Sequence, residues 1–444
     1  MTSARTSTTE GGWHRALAVY RDRRQLIILL QGFASGLPLL LVYSTLSARL
    51  AQAHINRATI GLLLLAQLPY SLKFLWAPLL DRVPPPLPLG QRRGWAIFLQ
   101  FTLMVAMIAM GRADPTTHLA LLAALALLVA FLSASQDIVI DAFRIEFLPP
   151  ESQGAGAAVT QAGYRVAMLT AGAGALALVE PVGWFCAYAA MGILMVVGML
   201  TFLFIAEPAP RPRSETLLRE QLAADYLARN PHLKGRQARL LASLNGAVVC
   251  PFLDFMTRPG WLAILLFIPA YKLGEAMAGA MSKPFYIDLG FSTNEIATMS
   301  GLVNFFTTII GGLMGGLVVA RWGLLRALLF CGITQSLGNL FYILLAEAGH
   351  RPAILALSAA AEDVTGGMAG TALIAYLSSL TNPPYTATQY ALLASLMVVG
   401  RSFFVASGGA LSLWMGWPVY FLATTLITVP ALLLLVWMRR RGWV

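Results

Sequence analysis

HLALLAALALLVAFLSASQDIVIDAFRIE, residues 118–146, begins as an unbroken apolar run and ends in four charged side chains, Asp137, Asp141, Arg144 and Glu146. At about 1.5 Å per residue, the uncharged stretch from Leu119 to Gln136 spans roughly 27 Å, close to the ~30 Å of hydrocarbon in a bilayer. Such a helix is built to cross a membrane, and charges gathered at one end of it need water, a cavity or partners. Ser133, Asp137, Asp141 and Arg144 fall at i, i+4, i+8 and i+11 and form one stripe, while Glu146 points elsewhere.

The rest of the chain carries the same signature. Of 444 residues, 58% are hydrophobic and 11% charged, with a mean hydropathy of +0.70, against about 25% charge in an ordinary soluble globule. An integral protein of the lipid bilayer is expected. The net charge of +11 raises the question of nucleic acid, but the basic residues fall in short segments between apolar runs. That is a topology signal, and no nucleic-acid partner is expected. Cys186, Cys250 and Cys331 lie in or beside apolar segments without CxxC or His spacing, so neither a disulfide nor a metal site is expected. HExxH, GxSxG and GxxxxGK(S/T) are absent. This argues against an enzyme and against ATP as the energy source, and no cofactor is expected. The N-terminal MTSARTSTTEGGWHRALAVYRDRR has no cleavage site behind a short apolar core, so the first apolar helix should serve as its own insertion signal.

Twelve stretches are long and apolar enough to span, roughly 26–48, 58–80, 94–111, 117–143, 154–179, 184–206, 261–288, 294–320, 324–347, 352–380, 386–413 and 417–438. The expected plan is a tail (1–25), a six-helix bundle (26–206), a linker (207–260), a second bundle (261–438) and a basic tail (439–444). Within the linker, LLREQLAADYLA has amphipathic helical spacing. Lys and Arg in the tails and connections divide 22 to 4 between the two sides, placing both termini and the linker in the cytoplasm.

A repeat is readable across the linker. DR and GQRRGW (81–82, 90–95) follow the second span, and ARWGLLRAL (320–328) follows the eighth. The fifth and eleventh spans each place an arginine seven residues before a glycine, Arg165 before Gly172 and Arg401 before Gly408. The fourth span carries Gln136-Asp137 and the tenth Glu362-Asp363. Two six-helix halves repeated in parallel resemble the plan of the major facilitator superfamily, an all-α membrane fold with substrate bound between halves.

Ionisable residues deep in a span are costly and therefore informative. Counted from the helix starts, Tyr164, Arg165 and Glu362 lie about 15 Å deep, Lys272 about 16 Å, and Lys73 and Arg401 about 22 Å. Lys272 and Glu275, three apart, are placed to pair. Arg165 and Arg401 in matching helices suit an anionic solute, the alternative being bracing ion pairs. Asp137 with Gln136 lines a cavity or forms a structural pair. Glu362 and Asp363 are adjacent, so one of them is expected to face the cavity as a proton site. Asp141 and Arg144 reach the inner mouth, where Asp81, Arg82, Arg92 and Arg93 offer a charge latch that opens and closes. Lys283 lies near the far surface and is expected to snorkel there. The glycine runs 32–38, 171–176, 311–316 and 366–370 are expected to let helices pack closely.

QGFASGLPLLL (31–41), LPYSLKFLWAPLLDR (68–82), GQRRGW (90–95), SASQDIVIDAFRIE (133–146), QGAGAAVTQAGYRVAMLTAGAGALAL (153–178), YKLGEAMAGAMSKPFYIDLGFSTNEI (271–296) and TATQYALLAS (386–395) resemble the AmpG muropeptide permease family. The resemblance covers nearly all of the chain outside the tail and linker. It implies a proton-driven symporter of the Gram-negative inner membrane, importing N-acetylglucosaminyl-1,6-anhydro-N-acetylmuramyl species, with or without the stem peptide. It further implies a role in cell-wall recycling and, indirectly, in β-lactamase induction. The family's QD pair corresponds to Gln136 and Asp137, and its GYR to Gly163, Tyr164 and Arg165. The chain departs from the family pattern at Asp363 and at Lys283. For such a substrate Tyr70, Trp76 and Tyr164 suit sugar faces, Lys73 and Gln136 its polar groups, and Arg165, Lys272 and Arg401 its carboxylates. Asp137, Glu275, Glu362 and Asp363 are the candidate proton sites. A monomer is expected. A transporter of another organic anion such as an acyl-CoA, and a non-transporting receptor acting through the linker, are the alternatives.

Overall fold

The computed structural model describes residues 10–208, 228, 249–296, 298, 303–405 and 407–443, the side chains of Arg57, Arg401 and a few others excepted. The amphipathic stretch expected in the linker lies outside the described residues, apart from Ala228. Every described element is helical. A bilayer requires this, because each backbone donor and acceptor in hydrocarbon must find its partner within the chain.

Among the described residues, eight segments are long and apolar enough to cross a membrane. One of them, Pro150–Leu203, is 54 residues long, and as a single straight helix it would run about 81 Å. It is interrupted at Gly183, whose φ of 79° and ψ of 169° leave the helical region just after Pro181, so it provides two crossings. Three further helical stretches, Thr59–Leu75, the 28-residue Pro352–Ser379, and Thr386–Val405 with Gly408–Met415, complete the twelve expected spans.

Prolines account for the irregular spans. The second is a chain of short helices, Arg57–Leu63, Leu68–Leu72 and Ala77–Arg82, joined by 3-10 turns. Pro69 and Pro78 each lack the N–H that would continue a regular ladder. The seventh breaks at Lys272, just behind Pro269, into Trp261–Tyr271 and Leu273–Asp288. That break puts an ionisable side chain at a helix junction within a span.

Glycines set the packing. Arg23–Leu41 lies so close to Gln153–Leu169 that a Cβ on Gly32 would stand 2.4 Å from the Thr160 carbonyl oxygen. In the second half, Val303–Trp322 meets Pro352–Ser379 in the same manner, with Gly311 against the Val364 carbonyl and Gly315 against that of Met368. Small residues permit this approach where no hydrophobic drive separates helix from lipid.

The halves meet along two seams, Gln153–Leu169 on Val303–Trp322 and Leu119–Phe147 on Thr386–Val405. Ala387 and Ala391 of the second half join the buried cluster of the first. The N-terminal helix Glu10–Ala18, which the sequence suggests is no more than tail, also crosses over. Trp13 packs edge-on against Trp322 at 6.3 Å, and Tyr20 donates to the Leu313 carbonyl at 2.9 Å.

Candidate functional site

Charged side chains from both halves converge on a cavity of about 240 Å³ lined by Gln161, Arg165, Lys272, Glu275, Glu362 and Asp363, among others. Gly366, Gly367 and Gly370 of the tenth span form part of its wall, leaving space that larger side chains would fill. A second cavity of about 220 Å³ adjoins it, sharing Glu362 and Asp363 and adding Lys283, Tyr286 and Asn304.

Lys272 and the three acids have partners, as burial demands. Lys272 pairs with Glu275 and donates to the Gly366 carbonyl at 3.2 Å. Glu362 accepts from the Tyr342 hydroxyl. Asp363 accepts from Asn304 Nδ2 at 2.6 Å and Thr307 Oγ1 at 3.2 Å. Adjacency led us to expect only one of the two acids in the cavity, yet both line it. Successive helical residues point about 100° apart, and the cavity is wide enough to meet both, with Tyr342 on one side and Asn304 on the other.

The remaining predicted residues form a separate group inside the first half. Asp137 accepts from Ser35 Oγ at 2.5 Å, and Lys73 Nζ lies 4.0 Å from its other oxygen. Gln136 is fully buried. Trp76 donates to Ser135 Oγ at 3.0 Å and packs obliquely on Phe131 at 4.8 Å, which covers one side of its ring. Tyr70 sits on the short Leu68–Leu72 helix with its hydroxyl buried. Tyr164 is half-buried, its backbone tight against Gly36. The side chain of Arg401 lies outside the described residues.

The predicted latch residues lie at one end of the seam. Arg92 is buried and donates to Asp81 at 2.8 Å and to Glu146 at 2.6 and 3.0 Å. Glu146, which the helical wheel sets apart from the stripe, is thereby part of the latch. The other oxygen of Asp81 accepts from the Thr388 N–H at 2.9 Å and its hydroxyl at 2.8 Å. A carboxylate of the first half thus caps the first turn of a helix in the second. Arg144 contacts Asp141 at 3.6 Å, Ser378 at 3.2 Å and the face of Tyr390 at 5.5 Å. Arg93 donates to the carbonyls of Phe202 and Leu203, and Glu207 accepts from the backbone N–H groups of Arg92 and Arg93. Arg82 belongs to the same short helix as Asp81 and is half-buried. Ser378, Thr388 and Tyr390 were not anticipated, and neither were Gln161, Asn304 and Tyr342 in the cavity. Of these only Gln161, one turn before Arg165, offers a sequence signal.

Helical halves closed at one end over a charged cavity that both of them line define a polytopic membrane transporter. The model of the Major Facilitator Superfamily matches residues 26–275 and 270–442. The anhydromuropeptide permease of Escherichia coli K12 is 37% identical over 425 residues, covering 95% of this chain and 80% of the relative. A putative AmpG 4 transporter of Rickettsia conorii is 34% identical over 434 residues, covering 96% and 99%. The chain belongs to the AmpG family of the Major Facilitator Superfamily, and it is a transporter rather than an enzyme. Among solved structures, the proton:xylose symporter XylE has a TM-score of 0.65 at 10% identity, over 97% of this chain and 96% of its own. A bacterial homologue of the iron transporter ferroportin, in an outward-facing state, has a TM-score of 0.65 at 12% identity, over 95% and 99%. These likenesses bear out the expected fold.

Proposed function

We propose that the protein carries GlcNAc-1,6-anhydro-MurNAc muropeptides from periplasm to cytoplasm, driven by the proton gradient, by alternating access. The reading places a single copy of the chain in the Gram-negative inner membrane with both termini cytoplasmic, and assigns it to peptidoglycan recycling and, through the cytoplasmic muropeptide pool, to β-lactamase induction. The observation that carries it is the convergence of Arg165 from one half and Lys272 from the other on a cavity that also holds Glu275, Glu362 and Asp363. Cations on both walls suit a solute bearing carboxylates, and acids beside them suit proton carriage. The permease name of the E. coli relative supports the choice of solute. In this cycle the latch at Asp81 and Thr388 is the cytoplasmic gate, closed while the cavity loads from the far side. Asp137, held by Ser35 and Lys73, is a further acid available to the cycle.

The test is uptake of radiolabelled anhydromuropeptide into proteoliposomes with and without an imposed inward proton gradient. Gradient-dependent accumulation, competed by unlabelled disaccharide, is expected. No uptake by folded protein would overturn the reading and point to another organic anion.

A further inference from the structure

Lys283 lies where its sequence position gives no hint of a role. The helix Leu273–Asp288 passes Glu362 at Gly279, where an added Cβ would stand 3.1 Å from the carboxylate. Lys283 follows four residues later on the same face, one turn outward. Rather than reaching only to the surface, it lines the outer cavity with Tyr286, Asn304, Glu362 and Asp363, and it is the sole cation of that lining. Both acids already have other partners, Tyr342 for Glu362 and Asn304 with Thr307 for Asp363. Among the described residues no carboxylate lies in ion-pair range of Lys283. A cation in a cavity, exposed and without an internal counter-ion, is placed to receive an anion from outside.

We propose that Lys283 is a specificity-determining residue that binds a carboxylate of the substrate's peptide portion, outward of Arg165 and Lys272. The proposal rests on the muropeptide reading above and goes beyond it by dividing the substrate. Without a peptide the disaccharide has one anionic group, the lactyl carboxylate held close to the muramyl ring. With a peptide that group becomes an amide and the carboxylates lie further out along the chain, so an ammonium one turn outward discriminates when a peptide is attached. Spacing agrees: eleven residues separate Lys272 from Lys283, about 16 Å along the helix, and an extended peptide of about five residues has that reach. A peptide lying along this face would place one carboxylate at each lysine.

The experiment compares two radiolabelled probes, GlcNAc-1,6-anhydro-MurNAc without peptide and the same disaccharide bearing its stem peptide. Uptake is measured into proteoliposomes holding equal amounts of the full chain, either unaltered, K283Q or K283R. K283Q is expected to raise KM for the peptide-bearing probe about tenfold, the scale of one lost charged hydrogen bond, while leaving the peptide-free probe unchanged. K283R, which keeps the charge, is expected to restore most of the affinity. Equal change with both probes, accompanied by a displaced pH profile, would overturn the proposal by showing that Lys283 acts on Glu362 and Asp363. No change with either probe would overturn it as well. Failure of the unaltered chain to take up either probe would instead remove the muropeptide reading, and this inference with it.

Discussion

Replacing Asp81 by Asn removes the charge at the centre of the latch while keeping its shape. Three donors converge on the carboxylate, the Arg92 guanidinium and the N–H and hydroxyl of Thr388, all between 2.8 and 2.9 Å. These bonds have different consequences. Arg92 belongs to the same half as Asp81, so that bond persists when the halves separate, and its loss weakens the open and closed forms alike. Only the Thr388 bonds bridge the halves. Charge-assisted hydrogen bonds contribute about 1.5–3 kcal/mol and neutral ones about 0.5–1.5. An Asn side chain at position 81 keeps one acceptor oxygen for several donors and must turn its NH2 toward one of them. The closed form therefore loses about 2 kcal/mol relative to the open one, a shift of roughly 30-fold in their ratio.

Thr388→Val removes the hydroxyl bond to the Asp81 carboxylate but keeps the N–H, so about 1.5 kcal/mol and roughly tenfold are expected. Because both substitutions act on one link, the double variant should resemble Asp81→Asn alone rather than the product of the two effects. The reporter is Ala391→Cys in a chain freed of Cys186, Cys250 and Cys331. Ala391 is 1% exposed and lies in the buried cluster shared by the two halves, so a maleimide reaches it only when the seam opens. Labelling from the latch side should accelerate about 30-fold, tenfold and 30-fold in the three variants. Multiplying effects in the double variant, or an unchanged rate for Asp81→Asn, would refute the reasoning.

Arg165→Ala and Asp137→Asn should each leave the protein in the membrane, seen by immunoblot, yet abolish muropeptide uptake. Normal uptake would reduce both residues to bystanders. Gly163→Ala should lower the yield of monodisperse protein in detergent, since its Cβ would stand 2.1 Å from the Leu29 carbonyl and overpacking of this kind costs about 1–3 kcal/mol. Gly409→Ala, with nothing within 4 Å of the new Cβ, should be neutral in the same assay. In the loop after Arg112, hydrogen bonds from the Thr116 hydroxyl and backbone hold the Asp114 carboxyl below its ordinary range. A depressed pKa adds stability above the unfolded carboxylate range that is lost as pH falls through the folded value. The melting-temperature gap between the native chain and Asp114→Asn should therefore be present at neutral pH and close in acid.

The spans were legible because lipid leaves a chain few options, and an apolar run of the right length is close to a structural statement. Deep charges such as Arg165, Lys272 and Glu362 were legible for the same reason, since hydrocarbon makes them conspicuous. Their partners were not. Asn304, Thr307 and Tyr342 are ordinary polar residues that acquire a role only because another helix brings an acid to them. Glu146 shows the limit of a single-helix wheel. It points away from the stripe of Asp137 and Asp141, and it joins the latch because Arg92, long and starting from a different helix, reaches it. Lys283 is exposed, in keeping with a place near the far surface, but its share in a cavity was not legible for the converse reason: depth counted along one helix cannot reveal a cavity made by three.

Bond lengths in the latch divide by the parts they join. Within the first half, Arg92 grips Asp81 and Glu146 at 2.6 to 3.0 Å. Between the halves, Arg144 makes only the 3.2 Å contact to Ser378 and a 5.5 Å approach to the Tyr390 ring, and the firm cross-link is the cap that Asp81 places on Thr388. In the proposed cycle the halves separate repeatedly, and one short link suits that better than many, because the free energy to open it then stays within what a bound solute can shift. The helices that bear this link and its neighbours also reach the charged sites. Leu119–Phe147 carries Asp137 as well as Arg144 and Glu146, and Pro352–Ser379 carries Glu362 and Asp363 as well as Ser378, about 22 Å further along. A tilt of Pro352–Ser379 at the cavity, or of Leu119–Phe147 at Asp137, would carry along the same helix to the latch.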